Sequence, residues 1–167
     1  MENIYITTPI YYVNDKPHVG HAYTSVACDA LARFYRLKGY EVFFLTGTDE
    51  HGLKIQQAAE QKEVTTQTFV DDMSTNFQNL TQILNLTNDD FIRTSSDRHI
   101  AGVRKFWEKL STNNQIYLDK YSGWYSVRDE AFYNEDEIKD GKAPSGSPVE
   151  WVEESSYFFK LSEWEGP

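Results

Sequence analysis

Two imidazoles three residues apart, His18 and His21, flank Gly20 just behind Pro17. Residues at that spacing share one face of a helix. A helix start carries unpaired backbone N–H groups and the positive end of the helix dipole. Two imidazole donors added there make a site for phosphate oxygens. Gly20 has no side chain, so a flat ring can lie against the backbone at that point. The same residues also fit a capped helix start with two surface histidines. Further along, Gly47-Thr48-Asp49-Glu50-His51-Gly52 offers Asp49 for a cationic ligand group and His51 for a ribose or phosphate. A plainer reading has Asp49 or Glu50 capping a helix that begins near Leu53. A metal reading also exists, since Asp, Glu and His are ligand types, but no second cluster supplies the remaining ligands.

The elements that position these residues follow from the apolar spacing. Asn3 to Thr8 reads as a strand and Pro9 to Lys16 as a loop with turn chemistry. From His18, the apolar residues Val19, Ala22, Val26, Ala30, Phe34 and Leu37 recur mostly at spacings of three and four, which predicts a helix. Lys38-Gly39 stops it. Glu41 to Thr46 reads as a buried strand. Strand, loop, helix and strand make one βαβ crossover, and open parallel sheets bind ligands at the carboxyl edge where both clusters emerge. Thr65 or Thr66 caps a helix with Phe69, Met73, Phe77, Leu80 and Leu84 on one face. A further helix starts near Ser96-Asp97 and carries Ile100, Val103, Phe106 or Trp107, and Leu110; both stripes read as core. Ile116 to Ala131 is aromatic and β-prone, with Ser122-Gly123 as the turn candidate. Asn134 to Pro148 reads as an exposed polar loop broken by Gly141, Pro144, Gly146 and Pro148. Its charges Glu135, Asp136, Glu137 and Asp140 read as a solvated face, with a carboxylate metal site as the second reading.

Composition narrows the class. The 167 residues are 40% hydrophobic and 15% aromatic, enough to build a core. No apolar run reaches the roughly 18 residues of a membrane span, so no membrane partner is expected, and Met1-Glu2-Asn3 lacks a signal peptide's features. Cys28 is the only cysteine, which precludes an internal disulfide and fits a reducing, cytoplasmic location. Within the first helix it reads as packed rather than reactive. Sixteen Lys and Arg against 26 Asp and Glu give a net charge of −10. A nucleic-acid-binding module usually carries a basic surface, so this chain does not read as a nucleic-acid-binding domain by itself.

Thr8-Pro9-Ile10-Tyr11-Tyr12-Val13-Asn14, His18-Val19-Gly20-His21 and Gly47 to Gly52 together resemble the amino-terminal half of the catalytic domain of the methionyl-tRNA synthetases, class I aminoacyl-tRNA synthetases. The likeness continues in order through Phe91 to Thr94, Asp97-Arg98-His99, Tyr121 to Tyr125, Glu153-Glu154-Ser155 and Phe158 to Ser162. It implies an α/β fold: a parallel-sheet, Rossmann-like nucleotide-binding half-domain over 1–115, a small β-rich connective insertion over 116–150, and a truncated return to the catalytic domain over 151–167. It implies ATP-dependent activation of methionine, whose carboxylate attacks the α-phosphate of ATP, followed by transfer to tRNA(Met). His18 and His21 are then the catalytic donors. Asn14, His18, Gly20 and His21 bind ATP, which brings Mg2+ with it. Pro9, Ile10 and Tyr12 line the methionine pocket, and Asp49 pairs with the ammonium. His51 lies beside them, although capping by its neighbours explains that segment nearly as well.

The chain also departs from the family. Many relatives hold structural zinc through Cys-x-x-Cys after the Trp-Tyr pair, where this chain reads Ser126-Val127-Arg128-Asp129. Without thiolates a tetrahedral sulfur site cannot be built, so no structural zinc is expected. The family's KMSKS loop and anticodon-binding domain do not occur in the sequence. The expectation is an amino-terminal fragment, inactive alone, that meets tRNA only through the complete enzyme. The alternative is a non-catalytic methionine- or nucleotide-binding module.

Overall fold

The computed structural model describes residues 2–166 and divides the chain into two compact units, Met1–Arg104 and Lys105–Pro167. In the first unit, β1 (Asn3–Thr7), β2 (Tyr11–Tyr12), β3 (Glu41–Asp49) and β4 (Asp90–Arg93) form a parallel sheet centred on β3. β1 pairs with Glu41 to Leu45 and β2 with Thr48 and Asp49. β4 pairs with Leu45 to Thr48, so it takes the opposite edge of β3. β1 and β2 therefore make one edge of the sheet, broken over 8–10, where the edge has three residues against two of β3. The short β2 falls inside the stretch read from the sequence as loop.

The crossover helix α1 (Val19–Leu37) ends as expected, with Lys38 as its cap and Gly39 at φ +85°. Its buried face is Ser25, Asp29 and Ala32. Ala32 packs with Ile6 and Phe44. Asp29 accepts hydrogen bonds from the Thr87 N–H and Oγ1, both at 2.6 Å, and from Arg33 Nε at 2.6 Å. Many of the apolar residues that marked this helix lie on its open side, including Val19 and Leu37, 84% and 89% exposed. Periodicity located the helix, but distant polar partners decided which face is buried.

A larger core lies beside β2. α2 (Leu53–Gln61) and α3 (Thr66–Ile83) bury Ile55, Ala59, Phe69, Val70, Met73 and Phe77 with Tyr11 and Val13. Thr65 caps α3, its Oγ1 accepting the Thr68 N–H at 3.1 Å. At the centre of the sheet, a methyl group on Gly47 would sit 2.1 Å from the Ile92 carbonyl oxygen. Gly47→Ala must push β3 and β4 apart and is expected to cost about 1–3 kcal/mol, read as a lowered urea midpoint at unchanged slope.

α4 (Asp97–Thr112) carries the second apolar stripe, but none of its residues is buried, and Val103, Phe106 and Trp107 are exposed. The expectation of a core stripe does not hold there. Spacing fixes an amphipathic helix without saying what meets its face.

The second unit is built on an antiparallel sheet in the order β6-β5-β7, formed by β5 (Ile116–Ser126), β6 (Ala131–Tyr133) and β7 (Glu150–Phe159). Ser122-Gly123 is not the turn. Both residues continue β5, opposite Glu153 and Val152, and the chain reverses over 127–130 instead. β7 pairs with β5 from Ile116↔Phe159 to Tyr125↔Glu150, so 151–159 lies in this sheet rather than in the parallel one. The segment 134–148 is not uniformly exposed: it forms a short 3-10 turn at Glu135–Glu137 and buries Ala143 and Ser147.

Asp129 gathers that segment. Its carboxylate accepts hydrogen bonds from the Ser145 and Ser147 hydroxyls and from Tyr133 Oη at 3.0 Å, while Ser126 Oγ lies 2.8 Å from Ser147 Oγ. The two serines, ahead of the other donors, bring the Asp129 pKa down to about 2. A carboxyl depressed in the folded state contributes stability that is present above its unfolded pKa of about 3.9. That contribution is lost as pH falls toward about 2. All four tryptophans, Trp107, Trp124, Trp151 and Trp164, belong to this unit, so their emission reports it. Its unfolding midpoint is expected to drop between about pH 4 and 2, and Asp129→Asn is expected to flatten that dependence.

Candidate active site

The two histidines form a reciprocal cap at the start of α1. His18 is the N-cap residue, and its Nδ1 accepts the Gly20 N–H at 3.1 Å. His21 Nδ1 reaches back to accept the His18 N–H at 3.1 Å. This is a capping box with imidazoles in both roles. A nitrogen that accepts a backbone N–H carries no proton, so in each neutral ring the proton sits on Nε2. The box therefore fixes the tautomer and leaves each ring one Nε2–H donor.

The cap also changes the inventory of donors expected from the sequence. The Gly20 N–H is taken by His18, and the His21 and Ala22 N–H groups bond the His18 carbonyl at 3.0 and 3.3 Å. A phosphate placed at this turn would meet the rings and the helix dipole more than free backbone N–H groups. The flat ring that lies against Gly20 is that of His18: a methyl group at Gly20 would sit 2.9 Å from His18 Cε1.

His21 is locked from behind. The two imidazoles lie 3.9 Å apart between centroids. Tyr11 and Phe77 meet the His21 ring edge-on at 4.8 and 5.2 Å. Tyr11 is fixed in turn by its Oη, 2.8 Å from Ser25 Oγ, and by its stacking on Phe77. Partial burial, reinforced by repulsion from His18 when that ring is charged, holds the His21 pKa below the ordinary imidazole value. Near neutral pH His21 is an uncharged donor. Neither Tyr11 nor Phe77 stood out as a site residue in the sequence: Tyr11 fell in the stretch read as a loop, and Phe77 in an apolar stripe that read as core.

The second cluster emerges at the carboxyl end of β3, the same edge of the sheet. Asp49 is paired in register with Tyr12 of β2, and the Val13 N–H bonds the Asp49 carbonyl at 3.3 Å. Asp49 does not cap α2, and neither does Glu50. The N-cap is Gly52, at φ +123° and without a side-chain hydrogen bond. A methyl group there would sit 2.6 Å from the Tyr12 hydroxyl oxygen, so Gly52 serves both the left-handed turn and the close approach of Tyr12. His51 is exposed, with its Nε2 3.2 Å from the Thr94 carbonyl oxygen. Pro9 and Ile10 are exposed in the break between β1 and β2, and Asn14 is exposed in the following turn.

Glu50 has a different place from its neighbours. Its side chain is fully buried, and Arg93 grips it through Nε at 2.8 Å and Nη2 at 2.9 Å. Thr48 Oγ1 donates at 2.6 Å, and Ser95 Oγ also donates. Burial works to raise the Glu50 pKa, but the bonds from Arg93, Ser95 and Thr48 outweigh it and keep the carboxylate ionised. Among the described residues, no group of three or more His, Cys, Asp or Glu side chains is arranged to hold a metal ion.

Known proteins resemble this chain over nearly its whole length. A family model described as tRNA synthetases class I (M) matches residues 4–148. The methionine–tRNA ligase of Rickettsia felis is 59% identical over 162 residues, covering 96% of this chain and 32% of that protein. The one from Mesorhizobium japonicum is 54% identical over 169 residues, 98% of this chain and 33% of that protein. The chain thus spans about a third of the length of the curated relatives it matches. Among solved structures, Mycobacterium tuberculosis methionyl-tRNA synthetase in complex with methionyl-adenylate superposes with a TM-score of 0.88 at 49% identity, over 98% of this chain and 33% of that one. An Agrobacterium radiobacter leucyl enzyme shares the fold, at 21% identity and a TM-score of 0.74.

Proposed function

The chain belongs to the class I tRNA synthetases (M), and from that premise we propose that it carries the amino-acid and α-phosphate half of a methionine-activating site. The observation that carries the reading is the histidine capping box: two imidazoles whose Nδ1 atoms accept backbone N–H groups, so that each neutral ring carries its proton on Nε2, beside the sheet edge where Asp49 emerges. His18 and His21 donate to phosphoryl oxygens of ATP as methionine attacks. Catalysis of this kind is positioning plus charge stabilisation, so no protein nucleophile is needed. Asn14 and Gly20 lie against the nucleotide. Asp49 pairs with the methionine ammonium, while Pro9, Ile10 and Tyr12 line the thioether pocket and His51 stands beside them. Mg2+ comes with ATP. Transfer to tRNA(Met) follows in the complete enzyme, in the cytoplasm.

The antiparallel unit is the connective insertion, held without zinc by the hydroxyls around Asp129. Support comes from the donor set itself: Tyr133, Ser145 and Ser147 already satisfy that carboxylate, Ser126 bonds Ser147 behind them, and zinc favours thiolate and imidazole. Stoichiometric zinc in the purified chain would overturn this part.

Thermal shift of the chain tests the whole reading. Methionine, ATP and a non-hydrolysable methionyl-adenylate analogue are expected to raise the midpoint, the analogue most, and isoleucine, valine and leucine to leave it in place. Stabilisation without turnover fits a half-site or a binding module. No response to any of the three ligands would sink the proposal.

A further inference from the structure

We propose that the Glu50–Arg93 pair is the positioning device of the amino-acid end of the site, an inference that rests on the assignment of Asp49 to the methionine ammonium. The end of β3 divides by burial. Glu50 is turned into the protein, whereas Asp49 is half-buried and His51 is exposed. Three successive residues from the end of β4 hold the segment. Arg93 grips the Glu50 carboxylate in a two-point fork. Thr94 Oγ1 accepts the Glu50 N–H at 2.8 Å, its own N–H bonds the Thr48 carbonyl at 3.1 Å, and its carbonyl meets His51. Ser95 closes the second carboxylate oxygen. Arg93 Nη2 also reaches Asp71 Oδ1 on α3 at 2.5 Å.

Stability alone does not call for this arrangement. Well-packed apolar side chains in place of a buried ion pair are often neutral or stabilising. A fork does what apolar packing cannot: it fixes the rotation of the strand end about its axis. Because neighbouring side chains alternate across a strand, fixing Glu50 inward fixes Asp49 on the opposite side. Glu50 and Arg93 act through Asp49 and touch no substrate themselves.

The test is calorimetric titration of the chain with methionine and with its deamino analogue, 4-(methylthio)butanoate, which lacks the ammonium. Four proteins are compared: the unmodified chain, Asp49→Asn, Glu50→Gln, and Val70→Ala as a variant that lowers stability through the core cluster beside β2. Glu50→Gln retains side-chain volume and hydrogen bonding but loses the charge that holds the fork. It is expected to weaken methionine binding by about tenfold and to leave the analogue unaffected, as Asp49→Asn does more strongly, while Val70→Ala alters neither. If Glu50→Gln binds methionine like the unmodified chain while Asp49→Asn does not, the positioning role is wrong and the Asp49 assignment stands. If Glu50→Gln and Val70→Ala weaken both ligands alike, Glu50 is merely structural. If Asp49→Asn changes nothing, or the unmodified chain does not bind methionine, the assignment of Asp49 fails and the inference falls with it.

Discussion

His21→Ala, in a complete synthetase containing this unit, is expected to lower methionine-dependent exchange of pyrophosphate into ATP by on the order of 10²–10³. The variant removes a neutral Nε2–H donor. It also removes the acceptor of the His18 N–H and opens half of the capping box. The second loss costs about 1 kcal/mol of helix stability by comparison with other caps and does not account for a rate effect of that size. His18→Asn separates the two roles. Asparagine is a good N-cap, so the helix start survives while the imidazole is gone. Exchange should fall in His18→Asn with the melting temperature nearly unchanged. Near-normal exchange in both variants would leave the rings with a capping role only.

Arg93→Ala is expected to destabilise the first unit by about 3 kcal/mol, at the lower end of what breaking a buried ion pair costs. The lower end applies because Arg93 keeps a quarter of its side-chain surface in water, whereas Glu50 has none. Removing the guanidinium leaves the Glu50 carboxylate inside the protein with only the Thr48 and Ser95 hydroxyls. Asp71 loses its partner as well, but at the surface, where the loss is small. Urea unfolding followed by far-ultraviolet circular dichroism measures the effect. The Arg93→Ala,Glu50→Leu double variant should recover much of it, because the orphaned charge, rather than the missing contact, dominates the cost. A single variant as stable as the unmodified chain would show that water reaches Glu50.

What the sequence made legible is local. α1 could be bounded because a histidine-bearing cap, a three-four apolar spacing and Lys38-Gly39 all act within a few residues of the chain. β3 could be placed because a buried parallel strand is a continuous apolar run. The parallel pairing of β1 with β3 follows from the helix between them. β2 was hidden, since two residues carry no period, and only its partner in β3 defines it. The buried face of α1 was hidden for the opposite reason: Ser25 and Asp29 look like surface residues until Tyr11 and Thr87 reach them.

The site divides in the same way. The spacing of His18 and His21 announced a shared face, and the ring-to-backbone bonds that set their tautomer lie within that same turn. Glu50 read as a helix cap because its true partner, Arg93, is 43 positions away on another strand. A lone arginine ending a strand-like run opposite an acidic strand end was the available signal.

The surplus residue at the break in the edge strand decides where Tyr11 points. Between Thr7↔Leu45 and Tyr11↔Thr48 the alternation of side chains is reversed, which puts odd-numbered Tyr11 on the face that Ile6 occupies. Trimming one residue from 8–10 would restore plain alternation and turn Tyr11 off the face on which it meets Ser25 and His21.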